Sequence, residues 1–165
     1  MEAVERFVEV DRRRLSTRTW AHPGKPTVVL EAGGSSSSVC WQHIESDIAQ
    51  FAGVFSYDRA GYGDSEPVRE NRSFDDMARD LRAALEGCGL SGPFILAGPS
   101  MGGVLVRRFV SLYPSSVAGV LLLDAVEEQH TYERLQQMRK MRSAARVAQW
   151  LARFGVIRLL LALFF

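Results

Sequence analysis

Residues 94–103 read FILAGPSMGG, and this stretch decides the fold. Its first four residues are apolar and predict a buried strand, while the residues from Gly102 to Tyr113 predict a helix that Pro114 ends. Between them, Ser100 stands in a G-x-S-x-G motif, so the strand enters the helix through a tight turn. The glycines on either side lack the Cβ atoms that would clash in such a turn. Ser100 Oγ is therefore expected to project above the sheet as an acyl-transfer nucleophile.

A glycine-rich loop upstream supplies the second part of the candidate site. Residues 31–38, EAGGSSSS, follow the apolar run at 27–30 and are expected to leave the end of an earlier strand. Where a serine occupies such a turn, one backbone N–H from this kind of loop and one from the residue after the serine bind the oxyanion. Gly34 and Met101 are the candidate donors. The alternative is a flexible surface loop of glycine and serine.

Four short apolar runs predict the central strands of a sheet. They are TVVL at 27–30, VFSY at 54–57, FILA at 94–97 and VLLL at 120–123. Such runs are typical of strands that are buried on both faces. A helical pattern separates two of them, from Ser73 to Gly87, and Ser73 with Asp76 three positions later predicts a capping box at its start.

This alternation predicts an α/β fold with a mostly parallel sheet and helices on both faces. Ahead of the parallel strands, Val8, Val10 and residues 15–20 alternate apolar and polar side chains and predict a leading hairpin. Residues 1–128 are expected to form the core, and residues 129–165 the start of a helical cap or lid.

Four segments in order resemble the α/β-hydrolase fold superfamily of serine esterases and related enzymes. They are TVVLEAGG (27–34), SYDRAGYGDSEP (56–67), FILAGPSMGG (94–103) and VAGVLLLDA (117–125). The resemblance covers roughly residues 5 to 130, and it implies Ser100 as the nucleophile with Gly34 and Met101 as oxyanion donors. Many relatives have His-Gly where this chain has Ala32-Gly33, and histidine where it has Pro99. The loop from Asp58 to Gly63 also resembles the family, and a structural role is expected for it, with direct substrate contact as the alternative.

The other members of a catalytic triad are less well marked. In this fold the order along the chain is serine, then aspartate or glutamate, then histidine. Only His130 follows Ser100, and it is interpreted as an exposed residue at the entry of the cap, with the role of base as the alternative. His22 and His43 are expected to be solvated. Asp124 ends the strand after the predicted helix that follows Ser100. It is the candidate acid within this chain, because some relatives supply the acid from this position, whereas most place it one strand later.

Residues 131–165 contain seven lysines and arginines and one acidic residue along an apolar, helical pattern. The end at Phe164 and Phe165 has no polar stop, so a chain truncated within the cap is expected. Left uncovered, this segment is predicted to form an apolar patch that favours self-association or weak contact with a membrane surface. Its arginines lack aromatic stacking platforms, which argues against a nucleic-acid partner.

Composition limits the remaining classes. The chain has 165 residues, a net charge of +1 and two cysteines, Cys40 and Cys88, without metal-ligand spacing, so neither structural zinc nor a cofactor is expected. The first twenty residues lack a continuous apolar stretch, which argues against a secretory signal and predicts a cytoplasmic protein. Two functions stay open: a serine hydrolase that acts on a carboxylic ester or related small acyl compound through an acyl-enzyme, and a catalytically incomplete fragment or partner-binding module.

Overall fold

The computed structural model describes residues 2–126. The strands of this part are β1 (Val4–Val10), β2 (Arg13–Trp20), β3 (Thr27–Leu30), β4 (Gly53–Tyr57), β5 (Phe94–Pro99) and β6 (Val117–Leu123). The α-helices are α1 (Gln42–Ile48), α2 (Phe74–Gly87) and α3 (Met101–Leu112), and short 3-10 turns occupy Ser38–Trp41 and Pro114–Ser116. The four central strands and the two helices predicted from the sequence, α2 and α3, are confirmed, with bounds that shift by a few residues at most.

The six strands of the described residues form one sheet in the order β1-β2-β4-β3-β5-β6. The last four strands of this order pair in parallel, and β1 and β2 form the predicted antiparallel hairpin at one side. The parallel strands all end at one edge of the sheet, at Leu30, Tyr57, Pro99 and Leu123. The loops that leave this edge are therefore neighbours in space, although they are far apart in sequence.

Side chains that alternate along the central strands pack against helices on opposite faces. Val29 and Phe55 belong to the core that includes residues of α2 and α3. Val28 and Val54 point to the other face, where Trp41 lies just before α1. The expected α/β fold, with a mostly parallel sheet and helices on both faces, is confirmed.

Strand β6 departs from the expectation of burial on both faces. Val120, Leu121, Leu122 and Leu123 are 40% to 51% exposed. In the described residues β6 is the last strand of the sheet and pairs only with β5, so fewer neighbours cover it. The run of four apolar residues indicated a strand correctly but did not indicate its place at the edge.

The predicted capping box begins α2. The Asp76 N–H donates to Ser73 Oγ at 3.2 Å, and the Ser73 N–H donates to the Asp76 carboxylate at 3.0 Å. These bonds satisfy backbone donors that the first helical turn leaves without partners. The hydrogen bonds from Ser73 also lower the pKa of the Asp76 carboxyl below its ordinary value.

Ser73→Ala is expected to lower the free energy of unfolding by about 1 kcal/mol at neutral pH, since the Asp76 N–H loses its acceptor. Because the folded-state pKa of Asp76 is depressed, the stability from this carboxylate is present above its unfolded pKa and lost as the pH falls through the folded value. The difference between the two proteins should therefore shrink in acid. Urea denaturation at pH 7 and below pH 4 measures it, with the exposed Ser91→Ala as control; equal midpoints for Ser73→Ala and wild type at pH 7 would contradict it.

The predicted core boundary at residue 128, His130 and the predicted cap helices lie outside the described residues. Residues 2–126 fall within one compact unit of the chain. No helix within this part is long and apolar enough to cross a membrane.

Candidate active site

Ser100 lies at the turn between β5 and α3, at the carboxyl edge of the sheet. Its backbone angles are φ 50° and ψ −122°, a conformation that residues other than glycine rarely adopt. A Cβ at Gly98 would lie 2.6 Å from the backbone carbon of Gly102, and one at Gly102 would lie 2.5 Å from Ala32 O. The two glycines of the motif are thus required by close backbone approach, as predicted. The Ser100 side chain is exposed.

Backbone hydrogen bonds fix this turn against β6. The Ser100 N–H donates to Leu123 O at 3.2 Å, and the Val126 N–H donates to Ser100 O at 3.3 Å. The Gly103 N–H also donates to Ser100 O, at 3.1 Å. Contacts from a distant segment therefore maintain the strained conformation of the serine, which its local sequence alone would not favour.

The loop after β3 lies beside the turn. A Cβ at Gly34 would lie 3.5 Å from both the Cβ and the Sδ of Met101. Ser35, the next residue, has a φ of 58°, so the loop turns sharply there. The structure therefore brings together Gly34 and Met101, the two residues that the sequence indicated as oxyanion donors.

Arg59, in the loop after β4, forms hydrogen bonds with the loop after β3. Its guanidinium donates hydrogen bonds of 2.6 Å to Ala32 O and to Gly33 O, and one of 3.3 Å to Ser36 O. It also forms an ion pair with Glu31. These contacts agree with the structural role expected for residues 58–63. They were not predicted in detail, although the arginine in the DRAGYG pattern was a signal that could have been used.

Asp58 organises its own loop and the start of the next element. Its carboxylate accepts the Ser38 N–H at 2.8 Å and the Asp64 N–H at 3.0 Å. Gly63, with a φ of 50°, passes so close to this carboxylate that a Cβ would overlap it. The loops after β3 and β4 are therefore joined by Asp58 as well as by Arg59.

The ion pair below the site is fully enclosed. The Glu31 side chain is 0% exposed and the Arg59 side chain 4% exposed. The Tyr57 hydroxyl donates a 2.7 Å hydrogen bond to the second carboxylate oxygen of Glu31. Burial raises the pKa of Glu31 and also that of Tyr57, while the facing Glu31 carboxylate raises the pKa of Arg59 against the opposing effect of burial. A neutral tyrosine thus supplies the hydrogen bond and a cation supplies the charge that this buried carboxylate needs.

Of the candidate triad residues in the described part, the structure brings only Asp124 next to Ser100. Asp124 follows β6, and because Pro99 pairs with Leu123, it lies next to Ser100 across the neighbouring strand ends. His22 follows β2, which runs antiparallel to β4, and therefore lies at the opposite edge of the sheet from Ser100. His43 is exposed on the first turn of α1, as expected.

Residues 26–162 match the sequence model of the alpha/beta hydrolase fold. The chain belongs to the alpha/beta hydrolase fold family. As a family member it is 33% identical over 98 residues to the uncharacterized protein YqjL of Bacillus subtilis, covering 59% of this chain and 39% of that protein. It is 31% identical to protein phosphatase methylesterase 1 of Candida albicans, over 67% of this chain and 33% of that one. The crystal structure of Cfl2 from Burkholderia cenocepacia superimposes with a TM-score of 0.69 at 30% identity, over 73% of this chain and 41% of Cfl2.

This hydrolase-fold chain spans only a part of its relatives. The matched region covers 19% of the first curated relative, a probable transporter of Hormonema carpetanum, and 39% of the second. Within residues 2–126 of the hydrolase fold, no group of three or more His, Cys, Asp or Glu side chains is arranged to hold a metal ion.

Proposed function

We propose that this chain carries the nucleophile and oxyanion site of a serine hydrolase that acts on a carboxylic ester or related small acyl compound. The observation that supports it most directly is the exposed, strained Ser100 at the start of α3, whose next residue, Met101, lies against Gly34 of a second loop. In acyl transfer, a serine in this setting attacks a carbonyl carbon while nearby backbone N–H groups bind the developing oxyanion.

The proposed reaction proceeds in two steps. Ser100 Oγ forms a bond to the carbonyl carbon and gives its proton to a general base, and the tetrahedral intermediate then expels the alcohol, which takes up that proton. Water then gives a proton to the base and attacks the acyl-serine, and the second tetrahedral intermediate expels Ser100 Oγ, which takes up that proton as the carboxylic acid is released. The amides of Gly34 and Met101 hold the oxyanion in both steps.

The position of Ser100 just before α3 favours negative charge that develops on a substrate oxygen there. The first N–H groups of a helix have no intrahelical acceptors and the positive end of the helix dipole lies there. Helix α3 has 12 residues, long enough for its dipole to act at this end. The Met101 N–H belongs to this first turn. The helix that begins directly after Ser100 therefore also supplies an oxyanion donor.

The proposed triad needs an acid and an imidazole base. Asp124 is the proposed acid in this chain because it lies next to Ser100 at the ends of two neighbouring strands. Two sources of the base stay open in this proposal. One is a histidine of a segment that follows in a longer protein, and the other is His130, which lies outside the described part and is interpreted as an exposed residue, with the role of base as the alternative.

The proposed substrate class follows from the nucleophile and from a relative. A serine nucleophile suits esters and thioesters, whereas an aspartate would suit haloalkanes and epoxides. One relative is named as a methylesterase, which is consistent with an ester substrate.

Cys40 and Cys88 are both free thiols, which supports the proposed cytoplasmic location.

Fluorophosphonate labelling of the purified chain tests the proposal, because the probe reacts with an activated serine. We expect Ser100→Ala to abolish labelling and p-nitrophenyl acetate hydrolysis. Ser111→Ala is the matched control, since Ser111 is exposed in the last turn of the same helix and is expected to leave both signals unchanged. A folded wild-type chain that neither labels nor hydrolyses the ester contradicts the proposal for this chain.

The second candidate is a partner-binding module, favoured by the placement of His22 at the opposite edge of the sheet from Ser100. The proposed contact surface is the basic, apolar segment of residues 131–165, which could mediate self-association or membrane-surface contact. Under this proposal Ser100→Ala leaves binding intact, and so the same substitution distinguishes the two functions.

A further inference from the structure

Arg59 binds the loop after β3, residues 31–38, which we call the oxyanion loop. Its guanidinium donates hydrogen bonds to carbonyl oxygens of this loop. One guanidinium nitrogen donates to Ala32 O, and the other donates to Gly33 O, both at 2.6 Å. A planar fork that holds two successive carbonyl groups fixes the orientation of two successive peptide units. The Ser36 carbonyl, at 3.3 Å from the second nitrogen, adds a third contact further along the loop.

These contacts decide where the amide groups of the loop point. The Gly33 carbonyl and the Gly34 N–H belong to one peptide unit, and in a trans peptide the C=O and N–H bonds point in opposite directions. Because Arg59 holds Gly33 O, the Gly34 N–H points away from the guanidinium. Gly34 itself lies against Met101 on the side of the nucleophile turn.

We propose that Arg59, held in its buried ion pair with Glu31, is a positioning residue that orients the Gly34 amide for oxyanion binding. The inference rests on the proposed function and deepens it, since it assigns a role to a residue that acts through the oxyanion loop. The cation also polarises the peptide unit through its carbonyl, and this strengthens the Gly34 N–H as a donor.

Glu31 and Tyr57 keep Arg59 in place. Glu31 is the residue just before the loop turns, and its N–H donates to Ala97 O of β5 at 2.8 Å. One of its carboxylate oxygens pairs with Arg59 and the other accepts the Tyr57 hydroxyl. Arg59 also lies over the Tyr62 ring, 4.9 Å from its centroid. The guanidinium is thus held on one side by the carboxylate and on another by an aromatic ring.

The test compares Arg59→Lys with Arg18→Met. Lysine keeps the charge beside Glu31 but cannot hold two carbonyl groups with one planar fork. Arg18 pairs with Glu45, a carboxylate that is 1% exposed, and so its replacement disturbs a buried ion pair that does not contact the oxyanion loop. Both variants are measured at equal folded fraction, for fluorophosphonate labelling rate, for kcat and KM with p-nitrophenyl acetate, and for amide exchange in a peptide that covers residues 33–36.

We expect Arg59→Lys to slow labelling and lower kcat by about tenfold or more with KM little changed, since loss of one oxyanion donor lowers kcat by about 100- to 1000-fold. Amide exchange at residues 33–36 is expected to accelerate in Arg59→Lys and not in Arg18→Met. A folded Arg59→Lys that labels and exchanges like wild type overturns the inference.

The exchange measurement keeps this inference separate from the proposed function. If the wild-type chain does not label, the proposed function fails for this chain, and faster exchange in Arg59→Lys alone still supports the positioning role, whereas unchanged exchange overturns it. If Arg59→Lys does not fold, Tyr57→Phe replaces it, because it removes only the hydroxyl that donates to Glu31. Exchange and labelling of Tyr57→Phe at wild-type rates then count against the inference.

Discussion

Glu31→Leu is expected to lower the free energy of unfolding by about 3–5 kcal/mol, because it leaves the Arg59 guanidinium buried without its counter-charge. The Arg59 side chain is only 4% exposed, so water cannot replace the carboxylate without opening the loop. The Tyr57 hydroxyl, which donates to the same carboxylate, loses its acceptor as well. Urea denaturation followed by tryptophan fluorescence, with Trp41 buried in the core, measures the change.

A second substitution separates the charge effect from a packing effect. Replacing a buried ion pair as a whole by apolar residues is often neutral, so Glu31→Leu with Arg59→Met is expected to be more stable than Glu31→Leu alone. Glu66→Leu is the matched control, since Glu66 forms an ion pair with Arg14 at the surface, and a much smaller loss is expected there. A loss for Glu31→Leu no larger than that of the control would contradict the prediction.

Gly98→Ala is expected to destabilise the fold by about 3 kcal/mol or more and to abolish labelling of Ser100. The added Cβ would lie 2.6 Å from the carbon and 2.7 Å from the oxygen of Gly102, and both are backbone atoms of α3. Relief therefore requires α3 to move away from β5, and Ser100 moves with it. Thermal unfolding and fluorophosphonate labelling measure the two effects.

Gly119→Ala is the matched control for Gly98→Ala. A Cβ at Gly119 would meet only Ile95 Cγ1, at 4.0 Å, and this glycine lies in a strand like Gly98. We expect its replacement to leave stability and labelling close to those of the wild type. If Gly98→Ala labels as fast as Gly119→Ala, the close backbone packing between Gly98 and Gly102 does not control the reactivity of Ser100.

Local patterns were sufficient for the central elements of the fold. The FILA run followed by glycine, serine and a helical pattern predicted β5, the turn and α3, because each depends on neighbours in sequence. The capping box of Ser73 and Asp76 was predicted for the same reason. The oxyanion candidates Gly34 and Met101 came from motif knowledge, and the structure brings them together, although their catalytic role stays a prediction.

Features that depend on tertiary contact were not predicted. Glu31 and Arg59 are 28 positions apart, and nothing in either local pattern indicates that one is buried beneath the other. A glutamate at the end of an apolar run reads as the end of burial, whereas here it is 0% exposed. Likewise the exposure of Val120 to Leu123 depends on which strand stands at the end of the sheet, which the apolar run does not encode.

The hydrogen bonds of the Ser100 turn also set an order of events during synthesis. The close packing at this turn involves Ala32, made much earlier, and Leu123 and Val126, made later. On an emerging chain, the hydrogen bonds that Ser100 makes with Leu123 and Val126 can therefore form only after β6 has been synthesised. The motif is thus made before two of the partners that hold its strained serine in place.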